Sequence, residues 1–270
     1  MVRNPVVAGK FYPNSKEALA KEINKFIPLS IQNKEDVIGV ISPHAGYIYS
    51  GPVAGATLSS IKSKPIYIIM GPNHTGLGSP FSLSASDSWT TPLGSVKIDE
   101  VLAGKILKNC PEIVKDEFAH TEEHSIEVQL PILQILQDEF TIVPIVISPG
   151  SVEQYRKIGQ AIAKSIRELK LEKDVVIIAS SDMTHYESRD SAWGKDSKAI
   201  DAILNLDEKA LVDRVVELDI SMCGYAPVAI MIVAAKALGA KKAKLIKYQT
   251  SGDVSGDYSS VVGYAGMIVE

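Results

Sequence analysis

The chain has 270 residues, of which 46% are hydrophobic and 22% are charged. These proportions are typical of a globular protein with a sizeable core, and the length allows one large domain or two small ones. The net charge of -4 gives the chain no electrostatic means of binding nucleic acid or an anionic membrane surface, so we expect neither as a partner.

Several features of the sequence predict a cytoplasmic protein. The segment Met1 to Pro5 shows no apolar core of a signal peptide. The longest apolar stretch, Tyr225 to Ala235, contains Pro227 and is shorter than the roughly 20 residues that span a bilayer. The two cysteines, Cys110 and Cys223, form no C-x-x-C pair, which fits a reducing compartment and argues against a disulfide framework.

In the first half of the chain, short apolar runs alternate with segments of helical periodicity. The predicted elements there are a helix from Ser15 to Phe26, a strand from Val37 to Ile41, a small-residue helix from Gly51 to Ile61, a strand from Ile66 to Met70, a hairpin in which Phe81 to Ser86 and Ser95 to Ile98 flank the turn Trp89 to Gly94, and a helix from Asp99 to Leu107.

The second half continues the alternation. Its predicted elements are a helix from His124 to Gln137 with a kink at Pro131, a strand from Thr141 to Ile147, a helix from Ser151 to Leu169, a strand from Asp174 to Ala179, two helices between Asp190 and Leu218, a helix from Val228 to Leu238, and closing strands from Lys244 to Thr250 and Ser260 to Val269. The pattern predicts one α/β domain over residues 1–270, with a mostly parallel or mixed sheet, helices on both faces and the hairpin as an edge or lid addition.

Three histidines, His44, His74 and His185, closely follow predicted strands, in turns that contain glycine, proline or serine. Open α/β sheets bind ligands beyond the carboxyl ends of their strands, so we expect the three rings to meet at one edge of the sheet. Imidazole is the commonest metal ligand in proteins, and the matching contexts of His44 and His74 favour metal ligation over simple loop capping.

A second segment offers catalytic groups. Asp182 precedes His185 with a spacing that lets a carboxylate orient a general acid or base, although helix capping explains Asp182 equally well. Ser180 and Ser181 raise the alternative of a serine hydrolase, but the chain lacks the G-x-S-x-G elbow of that class.

The remaining two histidines lie in one acidic segment. His124 and Glu127 are three residues apart, so on a helix they share a face and form either metal ligands or a hydrogen-bonded pair. We assign Glu122 and Glu123 to the start of a helix, where acidic residues are favoured, and His120 to the exposed surface.

Cys223 lies shortly before an apolar helix and next to Gly224. A thiol near a helix N-terminus has a lowered pKa, and the thiolate binds metals or attacks electrophiles. A buried structural cysteine is the alternative interpretation, and it is the one that we give to Cys110.

These motifs resemble, in their order, those of the Memo family. The matching phrases are Pro43-His44-Ala45-Gly46-Tyr47, Gly71-Pro72-Asn73-His74, His124-Ser125-Ile126-Glu127, Ser180-Ser181-Asp182 with His185, Cys223-Gly224 with Pro227, Ala8 to Pro13, and Thr91 to Gly94. The resemblance covers essentially the whole chain.

The resemblance implies a fold similar to that of the class III extradiol dioxygenases, and a site that binds iron or copper. The positions that it assigns to the metal are His44, His74 and Cys223, and those that it assigns to the lining of the same pocket, where we place catalysis, are His185, Asp182 and His124. It also implies a radical-SAM protein encoded nearby. A thiolate is softer than the carboxylate of the dioxygenases and favours copper(I) or zinc, which argues against retained catechol cleavage.

Three functions fit these residues, and the first is favoured. It is a non-haem Fe(II)- or copper-dependent redox or oxygen-using protein, with zinc as a further option and a small molecule or peptide as ligand. In this function His185, oriented by Asp182, moves protons, and His124 hydrogen-bonds the ligand.

The second function is that of a non-catalytic module whose vestigial pocket recognises a phosphopeptide or another anion. The third is metal-free catalysis by a cysteine or serine nucleophile. The sequence leaves the oligomeric state open.

Overall fold

In the computed structural model, which describes residues 1–28 and 34–270, twelve strands form one mixed sheet. The strands are β1 (Val2–Arg3), β2 (Gly39–Ser42), β3 (Ile66–Pro72), β4 (Phe81–Leu83), β5 (Ser88–Thr91), β6 (Gly94–Ile98), β7 (Val114–Lys115), β8 (Thr141–Ile147), β9 (Val175–Ser180), β10 (His185–Glu187), β11 (Ala243–Thr250) and β12 (Val261–Val269). Their order is β1-β5-β6-β8-β3-β9-β2-β12-β10, with β11 paired to β12, and β4 paired to β7 and β8.

The centre of the sheet is parallel and buried. β8, β3, β9 and β2 run in the same direction, and every residue of β2, β3 and β9 is buried. Continuous runs of valine and isoleucine are what a strand covered on both faces requires. β3, β9 and β2 are neighbours, so their carboxyl ends lie side by side at one edge of the sheet.

Nine helices surround the sheet among the described residues. They are α1 (Lys16–Ile23), α2 (Tyr47–Ser59), α3 (Glu100–Asn109), α4 (Leu130–Leu136), α5 (Val152–Glu168), α6 (Arg189–Leu204), α7 (Glu208–Glu217), α8 (Tyr225–Ala237) and α9 (Gly252–Ser255). The side chains of Ser15, Asp99 and Ser151 accept backbone N–H groups at the starts of α1, α3 and α5, as expected of N-cap residues. None of the helices within residues 1–28 and 34–270 combines the length and the apolar run needed to cross a membrane.

Helices cover both faces of the sheet, as the alternating pattern predicts. Gly39 pairs with Val269, and a Cβ atom at Gly39 would lie 2.4 Å from the sulfur of Met231 on α8. Gly266 stands three residues before Val269, so it faces the opposite side, where a Cβ atom would lie 1.8 Å from the hydroxyl of Thr57 on α2. The α/β class and the mixed sheet predicted from the sequence are therefore confirmed.

The hairpin differs from its predicted form. Its strands are β5 and β6, so the segment taken as a turn supplies the first strand, and Trp89 pairs with Val96. The segment beginning at Phe81 leaves the hairpin and pairs with β8 instead. The hairpin still lies toward one edge of the sheet, next to β1.

The helix predicted from His124 to Gln137 is shorter in the structure. A 3₁₀ turn spans Glu127–Gln129, and α4 begins only at Leu130. Pro131 therefore lies in the first turn of a helix and does not kink one, because a missing N–H costs nothing at that position.

Candidate metal centre

Three side chains from distant parts of the chain meet beyond the carboxyl ends of the central strands. His44 follows β2, His74 follows β3, and Cys223 precedes α8. One donor atom from each lies within 4.8 Å of the other two. The Nε2 atom of His44 is 3.3 Å from the Sγ atom of Cys223. The structure thus brings together the two histidines and the cysteine that the sequence identified as candidate ligands.

The three donors differ in exposure, so the cluster opens to one side. His44 is only 2% exposed, Cys223 is half-buried, and the side chain of His74 keeps 33% of its surface accessible. A ligand approaching this cluster would therefore meet it from the side on which His74 lies.

His44 is held at both its backbone and its ring. Its backbone N–H donates to a carboxylate oxygen of Asp182 at 2.8 Å, and its Nδ1 atom lies 2.9 Å from the hydroxyl oxygen of Ser180. Burial lowers the pKa of His44 well below its ordinary value, and the neighbouring His74 and His124 lower it further. The ring is therefore neutral at neutral pH, which is the form that binds a metal.

His74 is held by the carboxylate of Glu123, a residue that the sequence predicted to lie at the start of a helix. Glu123 accepts both the backbone N–H of His74, at 2.6 Å, and its Nδ1–H, at 2.9 Å. Glu123 is completely buried and also accepts the backbone N–H groups of His124 and Ser125, so it does not lie in the exposed first turn of a helix. A histidine that donates its second ring nitrogen to a carboxylate is typical of metal sites.

The charges of Glu123 and His74 support each other. Burial alone would raise the pKa of Glu123, but the hydrogen bond and charge of His74, with the N–H of Ser125, lower it to about 2. Burial alone would lower the pKa of His74, yet its hydrogen bond to Glu123 and the carboxylate charge raise it.

Metal-free protein should lose stability on acidification through Glu123. Its pKa is lowered from 4.5 to about 2, so its stabilisation is complete above pH 4.5 and is lost as the pH falls toward 2. We expect the difference in unfolding free energy between wild type and Glu123→Gln to shrink by about 1 kcal/mol between about pH 5.5 and about pH 3.5 in urea titrations, a range that lies below the ordinary pKa of histidine, so that His74 contributes little to the change. A difference of equal size at both pH values would contradict this, and the exposed Glu122→Gln serves as control.

Cys223 differs from the prediction of an acidic thiol. Burial raises the pKa of Cys223, and the nearby Asp182 raises it further. The backbone N–H of Asp182 points at the sulfur from 3.3 Å. Gly224 makes this approach feasible, because a Cβ atom there would lie 2.3 Å from the carbonyl oxygen of Ser180. Without a metal, the side chain is a thiol and not a reactive thiolate.

Asp182 and His185 do not form the expected pair. Asp182 accepts the N–H of His44, whereas the Nδ1 atom of His185 lies 3.0 Å from the carbonyl oxygen of Ser221. A carbonyl only accepts, so the Nδ1 of His185 carries the proton and its Nε2 is unprotonated in the neutral ring. Burial raises the pKa of Asp182, so this carboxyl keeps a proton to higher pH than an exposed aspartate does.

His124 lies against the cluster without joining the donor triangle of His44, His74 and Cys223. Its ring stacks on His74 with centroids 4.8 Å apart and meets Phe11 edge-on at 4.7 Å. Burial lowers the pKa of His124 and keeps the ring neutral. His74, Glu123 and His124 also form a compact donor group, but Glu123 already accepts four N–H groups, so this group is the weaker candidate.

Glu127 and His120 both have structural roles. Glu127 is buried in an ion pair with Arg3 and accepts the hydroxyl of Tyr12, so it is not a partner of His124. The prediction that His120 is exposed was wrong: the ring is completely buried, packs edge-on against Trp89, and burial lowers its pKa to about 4.

An open groove of about 560 Å³ is lined by none of the three donors but by residues that adjoin them in packing or in sequence. Its lining includes Phe11, which contacts His124, and Gly46, which lies two residues after His44. Ile48 and Tyr49 supply exposed apolar surface in the same groove. The volume of the groove falls within the range that is typical of small-molecule pockets.

The chemistry of the donors fits a metal ion. Two imidazole nitrogens, each without its proton once it binds, and one sulfur are a donor set for zinc, copper or iron. Ligand atoms placed about 2.0–2.3 Å from one ion lie about 3.5 Å from each other. The 3.3 Å between His44 and Cys223 already matches this separation, whereas donors as far apart as 4.8 Å would have to move inward by about 1 Å.

Comparisons with known proteins point to one family. The family model described as Memo-like protein matches residues 3–268. A MEMO1 family protein of Methanococcoides burtonii is 48% identical over 271 residues, covering 100% of both chains. One from Methanosarcina acetivorans is 46% identical over 100% of this chain and 99% of its own, and one from Methanopyrus kandleri is 44% identical over 99% of each.

Proposed function

The chain belongs to the Memo family, and on that premise we propose that it is a metal-dependent redox protein that binds iron or copper through His44, His74 and Cys223. The observation that carries this proposal is the convergence of three donor atoms to within 4.8 Å, from segments up to 179 residues apart in sequence. The donors meet beyond the carboxyl ends of the strands, which is where open α/β sheets bind their ligands.

The orientation of the rings supports ligation. His74 donates its Nδ1–H to Glu123, which leaves its Nε2 atom for a metal. His44 has its Nδ1 atom against Ser180 and its Nε2 atom against Cys223, which is the same division of roles. Both rings are thus held by a second hydrogen bond before a metal binds, so little ordering is needed on binding.

The residues around the donors can hold and move protons. A bound iron or copper ion would supply one-electron chemistry. Asp182, whose pKa is raised by burial, takes up a proton at the inner wall more readily than an exposed aspartate does, and the Nε2 atom of His185 offers a lone pair to a proton in the neutral ring. Cys223 must release its proton when it binds a metal, so metal affinity should rise with pH.

The two alternatives find less support. A metal-free cysteine nucleophile requires a thiolate, but burial raises the pKa of Cys223. Ser180 is completely buried, which argues against a serine nucleophile. A phosphopeptide site usually recruits arginine, whereas the described residues that line the groove offer one cation, Lys10, together with the acidic Glu22. The radical-SAM partner stays a prediction.

Elemental analysis of untagged protein purified without oxygen tests the proposal. We expect about one iron or copper ion per chain in the wild type, and less than about a tenth of that in His44→Ala and in Cys223→Ala, because each removes one of three ligands. Cys110→Ala removes a buried cysteine outside the cluster and should keep the metal.

Two results would contradict the proposal. The first is wild-type protein without metal that takes up neither added Fe(II) nor Cu(I). The second is a site filled by zinc alone under all conditions, which would retain metal binding but remove the redox role.

A further inference from the structure

Ser180 lies at the junction of three hydrogen bonds beneath the metal centre. Its side chain is completely buried. Its hydroxyl oxygen is 2.6 Å from the carbonyl oxygen of Ser125, 2.9 Å from the amide nitrogen of Gln129, and 2.9 Å from the Nδ1 atom of His44. Among the described residues no other hydrogen bond reaches Nδ1 of His44. Whether this nitrogen carries a proton therefore depends on whether the Ser180 hydroxyl accepts from it or donates to it.

The hydrogens in this junction can be counted. A carbonyl oxygen only accepts, so the single hydroxyl hydrogen of Ser180 is directed at Ser125. The amide nitrogen of Gln129 only donates, and its position is settled because it also faces the carbonyl oxygen of Pro43 at 2.9 Å. The Ser180 oxygen therefore has only lone pairs to offer His44, and the Nδ1 atom of His44 must carry its proton.

We propose that Ser180 is a positioning residue: its hydroxyl, locked by Ser125 and Gln129, fixes the Nδ1–H tautomer of His44 and so leaves the Nε2 lone pair facing Cys223. The relevance of this tautomer to a metal rests on the proposed function. The tautomer itself does not, since it follows from hydrogen bonds within the chain.

The rings of His74 and His185 also carry a proton on Nδ1, but they donate it to different acceptors. His74 donates to the carboxylate of Glu123, and His185 donates to the backbone carbonyl of Ser221. His44 is the ring whose acceptor is a neutral hydroxyl, a group that either donates or accepts. Among these three rings, His44 is therefore the one whose tautomer depends on the partners of its acceptor, here Ser125 and Gln129.

Nuclear magnetic resonance of metal-free, ¹⁵N-labelled protein tests the tautomer directly. Long-range ¹H–¹⁵N correlation spectra distinguish Nδ1–H from Nε2–H rings, and His44→Ala assigns the His44 signals. We expect His44 to be Nδ1-protonated in the wild type and in Ser180→Thr, which keeps the hydroxyl. In Ser180→Ala we expect a mixture of tautomers or the Nε2–H form.

Affinity for Zn²⁺ alone, measured by chelator competition, gives the second readout. Loss of a hydrogen-bond partner of a metal-binding histidine typically weakens binding about 10–100-fold, so Ser180→Ala should fall in that range and Ser180→Thr should recover. Ser165→Ala removes an equally buried hydroxyl on α5 and should change neither the tautomer nor the affinity.

The outcomes separate this inference from the proposed function. An Nε2-protonated His44 in the wild type would overturn it without recourse to any variant. So would a Ser180→Ala protein that keeps the Nδ1–H tautomer. A wild type with the expected tautomer that binds no metal would refute the proposed function and leave the role of Ser180 intact.

Discussion

Glu127→Ala is expected to lower the free energy of unfolding by about 3–5 kcal/mol, the cost of leaving a buried charge without its partner. Arg3 donates to Glu127 at 2.8 Å, and the two side chains are 4% and 0% exposed. The same carboxylate accepts the hydroxyl of Tyr12 at 2.6 Å and the backbone N–H groups of Val6 and Val7. Alanine would leave all four donors unsatisfied in the interior.

Urea unfolding followed by circular dichroism measures this loss. Glu127→Gln keeps an acceptor for Tyr12 but removes the charge, so its loss should be intermediate. Glu153→Ala breaks an exposed ion pair with Lys157 and should cost less than about 0.5 kcal/mol. A loss below about 1 kcal/mol in Glu127→Ala would mean that the pair does not hold the N-terminal segment.

The Arg3–Glu127 pair also affects the candidate site. The segment that Glu127 holds at Val6, Val7 and Tyr12 includes Phe11, and Phe11 packs against His124. The backbone carbonyl of Phe11 accepts the N–H of Tyr47 at the start of α2, which ties this segment to the loop after His44. Loss of the Arg3–Glu127 pair would therefore also loosen residues that line the groove, among them Phe11 and Tyr12.

The ends of the central strands were predictable from the sequence because the pattern that marks them lies within a few consecutive residues. A buried parallel strand is a short apolar run, and the turn that follows it places its side chains at the ligand-binding edge. That rule alone located His44 and His74, and the register between Ser42 and Ser180 places Asp182 beside them.

The partners of the ligands were not predictable in the same way. Glu123 approaches His74 from a segment 49 residues away, and Glu127 meets Arg3 across 124 residues. Acidic residues before a helical pattern look identical whether they cap a helix or hold a buried ring. In the structure α4 starts only at Leu130, so Glu123 is not part of a helix and its side chain turns inward toward His74.

Burial likewise reversed the expectation for Cys223. Its place before α8 predicted a lowered pKa, but in the pocket the loss of solvent and the carboxyl of Asp182 outweigh the helix terminus and raise it. The local sequence around Cys223 predicts the helix that follows it. The burial of Cys223 was not predictable in that way, because the pocket is formed by β2, β3 and β9 together.

Replacing Cys223 with aspartate is expected to change the metal preference of the site. The variant would present two imidazoles and a carboxylate, a set that suits Fe(II), in place of a soft thiolate that suits copper(I). We expect Cu(I) affinity to fall by more than about a hundredfold and Fe(II) affinity to stay within about tenfold of the wild type.

Chelator competition under anaerobic conditions measures both affinities. Cobalt(II) provides an independent check, because a cobalt–thiolate bond gives a near-ultraviolet charge-transfer band that should be present in the wild type and in Cys110→Ala, and absent in Cys223→Asp. The new carboxylate would face Asp182, so the two would share a proton and keep the added charge small. Unchanged Cu(I) affinity in Cys223→Asp would show that the sulfur is not a ligand, and the donor set would then reduce to His44 and His74.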